Sequence, residues 1–197
     1  MTIEDKNKDN LLNDILEIIN DITYIKPQDI PNIDLYMDQV TTFIEDNLAG
    51  CKRYESDKVL TKTMINNYAK DHVMPAPDKK KYSPEHMRIL IIIYYFKNFL
   101  SINDIQQLLE PVTDKHFDVK DDINMSGIYS EIVELCKNEV SDIEENIRNK
   151  FETAYSSFEG EKDRENLREF AFICLLAFDI FKKKQLIEKL IDKRTQN

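Results

Sequence analysis

Between Leu60 and Leu109 the chain reads LTKTMINNYAKDHVMPAPDKKKYSPEHMRILIIIYYFKNFLSINDIQQLL, and the punctuation of this stretch leaves few ways to fold it. Thr61 is a cap for a short helix reaching about Lys70, with Met64, Ile65 and Tyr68 on its inner side. Pro75 and Pro77 then exclude helix, because proline lacks the amide that a helical turn needs. Ser83 followed by Pro84 restarts one, with the proline at the first helical position. From Ile89 that helix is apolar almost all round, and Met87, Leu90, Ile91, Ile93, Tyr94 and Phe96 mark it as interior. Ser101 to Asp104 resembles a capping box for a last short helix with Ile102, Ile105, Leu108 and Leu109 on one face, closed by Pro111.

A short helix, a proline-flanked segment, a buried helix and a capped helix follow one another in the order of a winged helix-turn-helix. The outer side of the first helix carries Lys62, Thr63, Asn66, Asn67 and Lys70. Asparagine donates and accepts toward an adenine edge, and lysine and threonine reach phosphate oxygens, so this face has the chemistry of a major-groove reader. The same residue types also make an ordinary solvated face. Val73 to Tyr82 is expected to form a small β wing with a turn near Asp78. Lys79, Lys80 and Lys81 there can lie beside a phosphate backbone and Tyr82 can donate to it, although a lysine run also fits a solvated loop.

Charge sharpens the contrast. The chain has a net charge of −10, which excludes a protein that coats nucleic acid by bulk attraction. From Lys58 to Leu100, however, eight positive residues stand against three negative ones, so this window is basic within an acidic chain. Cys51, Cys136 and Cys174 are odd in number and widely separated, without the spacing of a disulfide framework or zinc site, and a reducing cytoplasm is the expected setting. The N-terminus has no secretory apolar core, and Ile89 to Phe96 and Phe170 to Phe181 are too short to span a bilayer. His72, His86 and His116 are dispersed, no glycine-rich phosphate loop occurs, and no acid and base pair stands out, so the chain is not expected to be an enzyme or to need a cofactor. Asp118, Asp121 and Asp122 do not make a calcium loop, since Lys120 and Ile123 occupy positions that such a loop needs otherwise.

The rest of the chain reads as helix. Residues 1–30 form an N-terminal arm in which Leu11, Leu12, Ile15, Leu16, Ile18, Ile19 and Ile22 share helical spacing behind a charged, frayed tail. Residues 31–112 form the main domain. Its first helix is capped by Asp34, carries Tyr36, Met37, Val40, Phe43, Ile44 and Leu48 on one face, and ends at a left-handed Gly50. Residues 113–127 are a polar linker. Residues 128–197 are a helical hairpin, one helix running from Ile128 to Phe158, broken at Gly160, and the other from about Asp163 to Asp192. Core packing is the preferred reading of Phe170 to Phe181; lining an effector pocket, or docking a protein partner, is the alternative.

Met64 to Leu109 resembles the DNA-binding domain of MerR-type transcriptional regulators. Tyr68 and Pro75 have the separation that this family keeps between the end of its recognition helix and its wing. Tyr82-Ser83 match the wing end, and Ser101 to Ile105 match the final cap. Asn66 and Asn67 stand where the family has Arg and Tyr, Lys80 replaces the wing Arg, and His72 replaces a Gly. The whole chain resembles an uncharacterised bacterial domain-of-unknown-function family with a MerR-like core. The resemblance implies an all-α winged helix-turn-helix protein with a small β wing, a sequence-specific transcriptional regulator that binds double-stranded DNA as a homodimer. The rival expectation is a protein-interaction module that kept this scaffold, lost DNA binding and docks a basic partner on its acidic C-terminal hairpin.

Overall fold

The structure, a computed structural model, describes residues 3–21, 24–119 and 123–195. It is mostly helical, with one two-stranded antiparallel sheet and long C-terminal helices. In chain order the elements are α1 (Ile3–Asp21), β1 (Leu35–Tyr36), α2 (Met37–Leu48), α3 (Lys62–Lys70), β2 (Lys81–Tyr82), α4 (Pro84–Phe96), α5 (Ile102–His116), α6 (Met125–Asn138), α7 (Val140–Tyr155) and α8 (Arg164–Thr195). The chain divides into two compact units, Met1–Thr23 with Leu135–Ile187, and Tyr24–Glu134 with Glu188–Asn197.

The first unit is held by α1, α7 and α8. Leu12 and Leu16 of α1, Ile147, Phe151 and Ala154 of α7 and Phe172 of α8 form its buried cluster, with Ile15, Ile19, Leu175 and Leu176 packed against it. The Phe151 ring stacks on Tyr155 at 4.1 Å and meets Phe172 edge-on at 5.4 Å. Lys8 pairs with Glu152, and Lys150 with Asp179, at the margin of this core. Helix α1 begins at Ile3, so the charged segment expected to fray is helical, while Ile22 lies outside the described residues. The core packing expected of Phe170 to Phe181 holds for one side of α8 only. The side bearing Phe172, Leu175 and Leu176 goes inward, and Phe170, Ile173, Phe178 and Phe181 are exposed.

The second unit is built on α4. Met87, Ile89, Leu90, Ile91 and Ile93 are fully buried, together with Val40, Ile44 and Leu48 of α2, Ile65 of α3, Ile105 of α5 and Met125 of α6. The Tyr129 hydroxyl donates to the Ile25 carbonyl (2.7 Å) and the Ile25 N–H donates to the Tyr95 hydroxyl (3.3 Å), which fastens the segment before β1 to α4 and α6. Burial pushes the Tyr95 phenol up to about 12 and raises Tyr129 as well.

Several expected boundaries move, each for a local reason. The wing strand β2 pairs with β1, Leu35 opposite Tyr82 and Tyr36 opposite Lys81, and not with residues 73–77. Pro75 and Pro77 have no amide to offer a ladder. Because residues 35–36 are strand, α2 starts at Met37, and the Gln39 side chain, not Asp34, caps it by accepting from the Tyr36 N–H (2.9 Å). Gly50 is not left-handed; α2 instead tightens into a 3₁₀ turn over Ala49–Cys51 that the Lys52 N–H closes onto the Ala49 carbonyl (3.1 Å). Helix α5 runs past Pro111 to His116. Both Pro111 and Gln107, whose carbonyl the proline cannot satisfy, are exposed to water. The linker therefore begins later than Thr113, and its Lys120, Asp121 and Asp122 lie outside the described residues. The long helix expected from Ile128 to Phe158 is interrupted at Glu139, where neither glycine nor proline occurs. Gly160 does break the chain, with φ +88° in the turn between α7 and α8.

Candidate nucleic-acid interface

Helix α3 is fixed at both ends by short-range chemistry. At its start the Thr61 hydroxyl accepts from the Met64 N–H (3.2 Å), satisfying one of the amides that a helix start leaves open. At its end the Asp71 N–H donates to the Asn67 carbonyl (2.8 Å), and the Val73 and Met74 amides both reach the Tyr68 carbonyl (2.8 and 3.2 Å). His72 turns the chain there with φ +57°. The residue standing where the MerR pattern has a glycine thus keeps a glycine-like backbone. Ile65 and Tyr68 are buried, which aims the opposite side of the helix at solvent. Lys62, Thr63, Asn66, Asn67 and Lys70 are all exposed along that side, a stripe about 12 Å long at 1.5 Å per residue.

The wing turn is a tight one. The Lys81 N–H donates to the Asp78 carbonyl (2.8 Å) across Lys79 and Lys80, whose φ values are +46° and +64°. Such a two-residue turn favours Asn-Gly, because a side chain in the left-handed region is strained. Two lysines are held there instead, and Lys79, Lys80 and Lys81 all project into solvent. Tyr82 does not. It is 2 % exposed, packed edge-on against the His86 ring at 5.7 Å, and burial raises its phenol. Its place in the fold is to anchor β2, and the expected phosphate contact from its hydroxyl is withdrawn from the surface.

The helix and the wing meet at one short segment. Lys62, at the start of α3, pairs with Asp38, while the Lys81 ammonium stands over the Tyr36 ring at 5.5 Å. Tyr36 and Asp38 are two residues apart, so the start of the α3 stripe and the wing lie side by side. Arg88, counted in the basic window, is by contrast buried on α4, its guanidinium 3.5 Å from Glu85.

His86 braces the base of the wing. The Ser83 N–H donates to its Nδ1 (3.0 Å), so Nδ1 is the acceptor and the ring proton sits on Nε2. The ring lies between Tyr82 and Phe117, with centroids at 5.7 and 4.8 Å. Burial lowers its pKa, against the opposing effect of the Ala76 and Pro75 carbonyls and of Asp34 and Asp118.

Two clefts that the linear sequence hid adjoin this surface, each of about 430 Å³. One is mainly apolar, beside α3, with Met64, Asn67, Tyr68, Leu100 and Ile105 in its walls. The other carries Lys52, Arg53, Lys58 and Lys97 with one carboxylate, Asp57. Lys97 belongs to both. Its ammonium stands over the Tyr94 ring at 5.2 Å, and burial lowers its pKa. Lys52 is held by Glu45. Residues 52 and 97 are joined only by folding; the adjacent Lys52-Arg53 pair after Gly50 was the one local sign of a second basic cluster.

Among the described residues no group of three or more His, Cys, Asp or Glu side chains is placed to hold a metal ion. Nor is any described helix long and apolar enough to cross a membrane. A family model described as a domain of unknown function, DUF1836, matches residues 25–132. These limits nearly coincide with the Tyr24–Glu134 part of the second unit, which the end of α8 completes. No curated protein and no solved structure matches the chain.

Proposed function

From the premise that the chain belongs to the DUF1836 family, we propose that its second unit is a MerR-like winged helix-turn-helix and that the protein is a cytoplasmic, sequence-specific DNA-binding transcriptional regulator working as a homodimer. Thr63, Asn66 and Asn67 face base edges in the major groove. Lys62, Lys70, Lys79, Lys80 and Lys81 hold phosphates on either side, and the Lys52, Arg53, Lys58 and Lys97 cleft extends the cationic surface.

The observation that carries this reading is the convergence of α3 and the wing on Tyr36 and Asp38, because it sets a polar stripe and a cationic turn next to each other on one unit. A charge of −10 on the whole chain then serves specificity, since the acidic remainder is repelled by phosphate and only the basic surface is admitted. The Lys62–Asp38 pair opens when Lys62 moves to a phosphate, a small cost for two exposed side chains.

Selection of bound fragments from a random duplex library, followed by anisotropy titrations across salt, tests the proposal. The expected result is an enriched motif whose binding weakens linearly in log salt. Asn66→Ala with Asn67→Ala should flatten the preference by about 1–3 kcal/mol per base contact while leaving non-specific binding in place. Absence of duplex binding at low salt would favour the interaction module on the same scaffold.

A further inference from the structure

The first unit carries a feature that DNA reading does not use. Along α8, Phe170, Ile173, Phe178, Ile180 and Phe181 are 65 %, 55 %, 61 %, 64 % and 55 % exposed, and Cys174 and Ala177 between them are exposed too. At about 200 Å² for each large side chain, these five present roughly 600 Å² of apolar surface. That equals the upper end of the largest patch on an ordinary monomer, about 300–600 Å². The opposite side of the same helix, with Phe172, Leu175 and Leu176, already fills the core, so no rotation of α8 in place can hide both.

The pattern of the exposed side points to what covers it. Phe170, Cys174, Ala177 and Phe181 recur at intervals of four, three and four residues, the stripe of a helix that packs on another helix. Read from either end, this stripe is bulky, small, small, bulky. A two-fold axis midway between Cys174 and Ala177 sets Phe170 level with the partner's Phe181, and Cys174 level with the partner's Ala177, so the small residues meet at the closest approach and the rings close the ends. Ile173 and Ile180 lie on one flank, where the same axis brings each near the other's counterpart.

Charge favours the same direction. Lys182, Lys183 and Lys184 follow the stripe, and Arg164, Glu165, Arg168 and Glu169 belong to its other end. Parallel helices would set two lysine runs against each other; antiparallel ones lay each run along residues 164–169, where the two arginines balance the two glutamates, and so avoid that repulsion. Two copies joined this way bury about 1,200 Å² from the five large side chains alone, the lower limit of a specific interface before its rim is counted.

We propose that the exposed face of α8 from Phe170 to Phe181 is the seam on which a second copy of this chain packs antiparallel, with its two-fold axis between Cys174 and Ala177. The seam deepens the homodimer of the proposed regulator but stands on the first unit alone. Sedimentation of the full chain at micromolar concentration should give the mass of two chains, and Phe170→Glu or Phe181→Glu should return it to one with unchanged helical circular dichroism. Ala177→Cys, in a chain with Cys51→Ser and Cys136→Ser, should form a reducible covalent dimer through Cys174 on mild oxidation. Adding Cys174→Ser should abolish that link, whereas parallel helices would still join the two introduced thiols.

A monomeric full chain would overturn the proposal, as would a dimer indifferent to both glutamate variants or a cross-link that survives Cys174→Ser. The DNA reading fails separately. Dimer-breaking variants that keep salt-sensitive duplex binding leave it intact, and an intact dimer that ignores DNA leaves the seam intact.

Discussion

Replacing Lys79 by Asn and Lys80 by Gly should make the second unit more stable and a poorer DNA binder at once. Both lysines sit in the left-handed region, at φ +46° and +64°, which costs a residue with a side chain about 1–2 kcal/mol. Asparagine tolerates that region better, and glycine relieves it fully but costs about 0.5–1 kcal/mol through the freedom it adds to the unfolded chain. The net expectation is a gain of about 1 kcal/mol, read as a shift of the urea midpoint at unchanged slope. Binding should move the other way. Each neutralised phosphate contributes about 0.9 to the slope of log affinity on log salt, so losing two charges lowers that slope by about 1.8. Over a fourfold rise in salt the variant should therefore lose about 12-fold less affinity than the parent. Lys79→Gln with Lys80→Gln, which removes the charges and keeps the backbone demand, should reproduce the slope change without the stability gain. A variant that is less stable would refute the strain argument, and an unchanged slope would refute the assignment of the wing to the phosphate backbone.

The buried neutral state of His86 gives the second unit an acid limit. Its pKa is lowered from an unfolded value of about 6.5, so the unfolded chain takes up the proton first, and stability should fall as pH drops below about 6.5 toward the folded value. Urea midpoints across that range should show the loss, and His86→Gln should reduce its pH dependence. Thr61→Ala removes the hydroxyl that accepts from Met64 and should cost about 1 kcal/mol, measured by thermal unfolding of the second unit. Phe151→Ala empties the stacked centre of the first unit and should cost it about 3–5 kcal/mol, seen as a lower denaturation midpoint.

Local signals were legible where the physics is local. Ser83-Pro84, Thr61 and Ser101 cap α4, α3 and α5 in the structure, and Gly160 turns the chain before α8, because a cap or a turn is decided by a few adjacent atoms. The exposure of Lys62, Thr63, Asn66, Asn67 and Lys70 followed from the spacing of Ile65 and Tyr68 in the same helix. Tyr82 misled for the opposite reason. Three lysines precede it in sequence, but in space its ring meets His86, and the β1–β2 pairing sets Leu35 opposite it.

The sequence by itself determined that this chain is mostly helical, where α3, α4, α5 and α8 begin, and which face of α3 is polar, since periodicity and capping act over one or two turns. Tertiary structure alone decided the rest. It paired the wing with residues 35–36, joined Lys52 to Lys97 across a cleft, and chose which of the two apolar sides of α8 is buried. That last choice was beyond periodicity, because α8 is apolar on both sides and only the shape of the α1 and α7 surface selects one of them.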